Sequence, residues 1–234
     1  MLLNGVLEYK KRKNRMENYS QSQDMPWVDI RLTEEIMNHL RNAMDTPVSI
    51  QKGDNKTPLA GNISKSTYIQ DKDNLFYETV LKEMSEHLYY KDWNNHYNVF
   101  VTKFKSPPVF KLYDMWVNYQ KQHEFNPPHQ HTGEFSFIVF MKIPTYWKEQ
   151  HALPFSANSN IPCASDFQFI IGQGMGGIGT KEIPLSLEDE GRMLFFPAWL
   201  QHQVFPFYEC EEERITISGN IIYNLEKKNE SFQR

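Results

Sequence analysis

Apolar residues fall at helical spacing in two stretches of the first half of the chain. Residues 32–44 (LTEEIMNHLRNAM) place them on one face and offer Thr33 as N-cap, which predicts a helix. Residues 74–90 (NLFYETVLKEMSEHLYY) predict a second amphipathic helix, with Phe76, Val80, Leu81, Met84 and Leu88 along its stripe. Between them, 51–62 is polar and reads as a loop, and 8–25 reads as an exposed arm. Past Asn95 the texture changes. Residues 99–105, 110–120, 135–142, 167–171, 192–196 and 214–223 are β-prone runs separated by Pro, Gly, Asn or charged clusters, and they read as strands.

Helices followed by a run of strands predict an α+β, mainly β fold. The strand-rich half, about 125 residues, suits a jelly-roll barrel or sandwich. The chain has 234 residues and 40% hydrophobic content, enough for one large domain. An aromatic content of 14% agrees with a β-rich core. The net charge of -4 lends no basic field for nucleic acid, and KKRKNR at 10–15 reads as a solvated segment. Cys163 and Cys210 are far apart and not in a CxxC pattern, so neither a zinc site nor a disulfide framework is indicated and the expected setting is reducing and cytoplasmic. With no run of about eighteen apolar residues, no membrane partner is expected.

Two motif matches fail on context. Residues 172–177 (GQGMGG) match GxGxxG after a strand, but no helix opens at the last glycine to hold a pyrophosphate, so a loop between strands is expected. His123-Glu124 has no second histidine at the HExxH position, and Pro127-Pro128 would break the helix that motif needs.

The stretch NPPHQHTGEFSFIVFMKIP, residues 126–144, carries more. Two prolines favour an extended entry, and residues i and i+2 of a strand share a face. His129 and His131 would then project to one side, about 6–7 Å apart along the strand. By itself the pair is either half of a metal site or a polar entrance to a strand. Further on, GRMLFFPAWLQHQV (191–204) combines a turn glycine, an aromatic strand, a proline corner and His202. In the run Arg214–Ser218, alternation points Arg214, Thr216 and Ser218 to one face and Ile215 and Ile217 to the other. An arginine there can hold a carboxylate in a barrel mouth; alternatively it is exposed and paired with Glu211, Glu212 or Glu213.

In this order of HxH, strands, His and Arg, the chain resembles the 2-oxoglutarate- and iron(II)-dependent oxygenases, above all prolyl-4-hydroxylase-like and phage or marine-bacterial members. The resemblance covers roughly 116–224 and rests on WVNYQKQHEFNPPHQHTGEFSFIVFMKIP and GRMLFFPAWLQHQVFPFYECEEERITISGNI. It implies a double-stranded β-helix at 97–225 supported by helices at 30–95, in one domain at 26–226 between an arm at 1–25 and a tail at 227–234. It implies Fe(II) and 2-oxoglutarate as cofactors and O2 as co-substrate. A C–H bond of a peptidyl substrate, such as a prolyl residue, or of a small molecule would be hydroxylated, with release of succinate and CO2. His129 and His202 would bind iron, and Arg214 would anchor the far carboxylate of 2-oxoglutarate.

The superfamily's usual proximal motif is His-x-Asp/Glu, and here the third position holds His131. With His131 as the third ligand, three neutral imidazoles leave iron its full 2+ charge, which favours a dianionic cosubstrate. With His131 in the first position, Gly133 falls at the carboxylate position and leaves it open. Glu134 could serve only if the strand bulged. The preferred set is His129, His131 and His202, with Glu134 in reserve. Asn118, Asn126 and Ser218 are candidates for holding the cosubstrate, with Ser136 and Tyr113 as weaker ones. Trp199 and Phe205 are expected to pack around His202. The insertion at 144–163 reads as a lid, with Tyr146, Trp147 and Phe155 as substrate contacts or as loop packing. Two other readings share parts of this pattern: a cupin-type three-His metal oxygenase without 2-oxoglutarate, and a non-catalytic jelly-roll binding module.

Overall fold

The computed structural model describes residues 26–48, 61–89, 108–172 and 174–226. The expected arm, tail, strand at 99–105 and most of the polar loop lie outside the described residues. Alternation along two central strands sets the architecture. In β5 (Phe135–Lys142) and β10 (Arg214–Tyr223), Phe135, Phe137, Val139, Ile217 and Ile221 join one apolar cluster with Ile36, Leu40, Phe76, Leu81 and Met84 of the helices. The alternate side chains Ile138 and Phe140 join a second cluster with Phe167, Phe169 and Phe196. The sheet thus has helices on one face and a second sheet on the other, as its period of two dictates.

The larger sheet has the order β1 (Val28–Arg31), β8 (Arg192–Pro197), β5, β10, β3 (Phe110–Gln120), β2 (Lys65–Tyr68). The smaller has β4 (Asn126–His129), β9 (His202–Val204), β6 (Phe167–Gly172), β7 (Ile178–Ile183). All pairings are antiparallel, and the whole is a double-stranded β-helix. The Gly-rich stretch joins β6 to β7 as a hairpin loop, as its lack of a following helical pattern requires.

Thr33 caps α1 (Glu34–Asp45) by accepting the Ile36 amide at 3.4 Å. The second helix departs from the expected course. It runs through a π turn, Tyr77–Leu81, before α2 (Lys82–Leu88). Fully buried Phe76 and Leu81 are five residues apart, a spacing that the wider π turn, not an α turn, brings to one side. The Asp71 carboxylate accepts the Phe76 and Tyr77 amides at 3.0 and 2.8 Å and meets His39 Nε2 at 2.7 Å, tying the two helices together. Strands β1, β2, β7 and β9 had no expected counterpart, and the extended segment expected at 128–132 is strand only as far as His129, in β4. The insertion holds two short helices, α3 (Trp147–Ala152) and α4 (Pro154–Ala157). Among the described residues no helix is long and apolar enough to cross a membrane.

Candidate active site

The proline pair confines β4 to the edge of its sheet, where a strand tolerates missing amide donors. His129, its last residue, stands opposite His202 of β9. His131 lies just past the strand end, and its amide donates to Ala198 O at 2.8 Å, which ties the HxH segment to the proline corner. Gly133, with φ +108°, makes the next turn; a Cβ there would fall 2.7 Å from Ile221 O.

The His129 Nδ1–H donates to Pro127 O at 2.7 Å and the His202 Nδ1–H to Leu200 O at 2.9 Å. These carbonyls fix the tautomers and leave both Nε2 lone pairs free. His131 Nε2 is 3.2 Å from His202 Nε2, and the ligand atoms of all three histidines lie within 4.8 Å of one another. Two nitrogens each about 2.1 Å from one metal and at roughly right angles are themselves about 3.0 Å apart, so the His131–His202 spacing fits two adjacent ligands of a divalent ion, with His129 close by as a third. Burial holds all three imidazoles below the ordinary histidine range, His131 at about 4, so at neutral pH they present lone pairs without losing a proton. Phe167 stacks on His202 and Phe196 meets it edge-on, with ring centroids at 5.4 and 4.9 Å. Trp199, expected beside His202, is 37% exposed.

Arg214 opens β10 and is 1% exposed. Its Nη2 donates to Ser165 O at 2.8 Å and to the Ser165 hydroxyl, and its guanidinium lies over the Phe207 ring at 5.1 Å. Nε and Nη1 have no partner. The acidic run does not pair with it; Glu211 bonds Gln122 and Glu212 bonds Lys142. Burial lowers its pKa to about 10, so the cation persists at neutral pH. A buried cation with free N–H groups is costly unless an anion meets it, and a carboxylate is the matching group.

One cavity of about 390 Å³ contains His129, His131, His202 and Arg214, with Asn118, Asn126 and Ser218 on its walls. The Ser66 hydroxyl donates to Asn118 Oδ1 at 2.9 Å. Gly61 leaves the space that the Asn126 amide occupies, since a Cβ would fall 1.7 Å from its Oδ1. The Glu134 carboxylate accepts from Tyr223, on the helix side of the sheet and away from the triad. The Ser136 hydroxyl donates to Asn220 Oδ1 at 2.6 Å outside the cavity wall, and Tyr113 is exposed. Tyr146 and Phe155 are exposed, Phe155 packs on Tyr208, and Trp147 packs on His151; none of the three lines the cavity. The wall that sequence reasoning missed is Gly61–Ser66, a short polar stretch without periodicity, together with Trp116, whose ring sits 5.6 Å from His131.

Residues 114–220 match a family model described as "Putative 2OG-Fe(II) oxygenase". No curated protein sequence matches the chain. Among solved structures, the 2-oxoglutarate-dependent carbocyclase SnoK of nogalamycin biosynthesis is 10% identical, with 89% of this chain and 85% of that one covered and a TM-score of 0.50. A viral collagen prolyl hydroxylase from Paramecium bursaria Chlorella virus-1 is 14% identical, with 86% and 98% covered and a TM-score of 0.48. A Pseudomonas putida prolyl-4-hydroxylase is 11% identical, with 86% and 94% covered and a TM-score of 0.46.

Proposed function

We propose that this chain, whose β-rich core is that of a 2-oxoglutarate- and iron(II)-dependent oxygenase, hydroxylates a C–H bond of a peptidyl or small-molecule substrate, releasing succinate and CO2. The observation that carries the reading is the pairing, in one cavity, of three convergent imidazoles with a buried, half-unsatisfied Arg214. His129, His131 and His202 would hold iron(II), and Arg214 would hold the far carboxylate of 2-oxoglutarate. The bound metal supplies the oxidising chemistry that side chains lack.

The chain's own residues perform the rest. Three neutral imidazoles would cancel none of the charge of a divalent ion held between them, and the Arg214 guanidinium adds one more positive charge, which favours a dianion. Asn118, Asn126 and Ser218 offer hydrogen bonds that orient it. Phe167 and Phe196 exclude water from the His202 side, where electrostatic attraction is thereby strengthened. A three-His oxygenase that does not use 2-oxoglutarate would have no use for a buried arginine, and a binding module would need neither feature. Anaerobic Fe(II) with 2-oxoglutarate should give a weak visible charge-transfer band and, in air, succinate. A band that never forms, or that persists unchanged in Arg214→Ala, overturns the assignment.

A further inference from the structure

Among the described residues, four buried side-chain atoms lack any hydrogen-bond partner, and three of them belong to two neighbours: Nε and Nη1 of Arg214 and Oδ2 of Asp166. Asp166 is fully buried and close enough to Arg214 for each to feel the other's charge, yet the two form no ion pair. A buried carboxylate and a buried guanidinium with free donors gain more by meeting than by staying apart. Something holds them apart.

The restraint comes from the insertion. His151 of α3 donates from Nε2 to Asp166 Oδ1 at 2.9 Å. The helix carrying it is itself clamped, because the Gln150 amide both donates to Tyr208 O and accepts from Tyr208 N, each at 2.9 Å. That segment also carries Phe207 beneath the guanidinium and bonds the Ser165–Asp166 turn through Ser165 N to Pro206 O and Phe205 N to Asp166 O, both at 2.9 Å. Ser165, at φ 74°, turns its carbonyl and hydroxyl onto Arg214 Nη2, and its hydroxyl also meets Thr145 Oγ1 at 3.1 Å. The first part of the insertion is therefore a buttress on the arginine side of the cavity.

We propose that His151 is a positioning residue that holds Asp166 off Arg214, keeping the arginine's Nε and Nη1 open for the cosubstrate carboxylate. Asp166 is then a competitor under restraint. With His151 removed, its carboxylate swings onto Arg214 and occupies the place of the incoming ligand. This rests on the reading of Arg214 as the cosubstrate anchor.

The test is an anaerobic titration of the Fe(II)-loaded protein with 2-oxoglutarate at pH 7.5, read from the charge-transfer band, with thermal melts confirming folding. His151→Phe weakens binding by about tenfold. Adding Asp166→Asn to His151→Phe recovers most of that loss, a reversal that a general loosening of the fold would not produce. Where the phenylalanine variant does not fold, His151→Ala serves the same comparison. Unchanged affinity in the single variant, or equal or greater weakness in the double variant, overturns the proposal. Arg214→Ala is titrated in parallel. Its loss of binding alongside a parent-like His151→Phe leaves the anchor reading intact and removes only this inference, whereas parent-like binding by Arg214→Ala removes both.

Discussion

His131 Nε2 lies 3.2 Å from His202 Nε2, and the proton of His202 is committed to Leu200 O on the opposite ring nitrogen. The pair therefore faces one lone pair with either a proton or a shared metal ion, and the separation suits the metal. If His131 is the third ligand, His131→Ala weakens ferrous binding by roughly 100-fold or more, whereas His131→Asp keeps it, since two histidines and a carboxylate form the commoner ferrous site. The aspartate also cancels one unit of metal charge, so 2-oxoglutarate binds the His131→Asp protein more weakly. Equilibrium dialysis with Fe(II) under nitrogen decides; an alanine variant that binds like the parent would return His131 to the role of a strand-end polar residue.

Arg214→Met separates stability from ligand binding. The wild-type side chain holds a desolvated cation with two free nitrogens. Replacement by an apolar chain of similar reach removes that cost. The variant should unfold at the same or higher urea concentration than the parent while losing 2-oxoglutarate binding. A strongly destabilised variant would mean that Arg214 is a structural cross-brace to Ser165.

The long strands were legible because their alternation is strong. β5 and β10 fall on the expected residues, and the face assigned to Arg214, Thr216 and Ser218 is the face that lines the cavity. The histidine order was legible for a different reason, since each histidine sits beside a local marker: two prolines before His129 and a proline corner before His202. What escaped was structure made by pairing instead of periodicity. β9 is three residues long, and β2 (Lys65–Tyr68) is only partly buried, so neither has a pattern of its own. The surroundings of Arg214 escaped too, because its partner Ser165 and its neighbour Asp166 are 49 and 48 positions away from it in the chain and no spacing rule links them.

Gly133 couples backbone geometry to the metal cluster. With φ at +108°, a side chain is strained there, and an added Cβ would meet Ile221 O at 2.7 Å, the carbonyl that accepts the Glu134 amide. Gly133→Ala should cost roughly 1–3 kcal/mol of stability from the dihedral alone. The shift is passed to His131, two residues away, so ferrous affinity falls in the same variant. Urea unfolding and metal dialysis on one preparation check both halves; a stable variant with reduced metal binding, or the reverse, would break the coupling.

Asp166 gives a pH dependence with a defined sign. Burial raises its pKa from 3.8 to about 6 against the opposing pull of His151 and Arg214, with Glu182 adding to the rise and Cys163 facing it as well. Between those two values the native protein holds a proton that the unfolded chain has released, so stability falls as pH rises through that window. Asparagine does not titrate there. The stability of Asp166→Asn relative to the parent should therefore improve on going from pH 4 to pH 7, by up to roughly 3 kcal/mol at 1.36 kcal/mol per pKa unit. Urea midpoints at pH 4, 5, 6 and 7 measure the difference. A flat difference would mean that His151 and Arg214 fully offset the burial of this carboxylate, and a falling one would mean that they outweigh it.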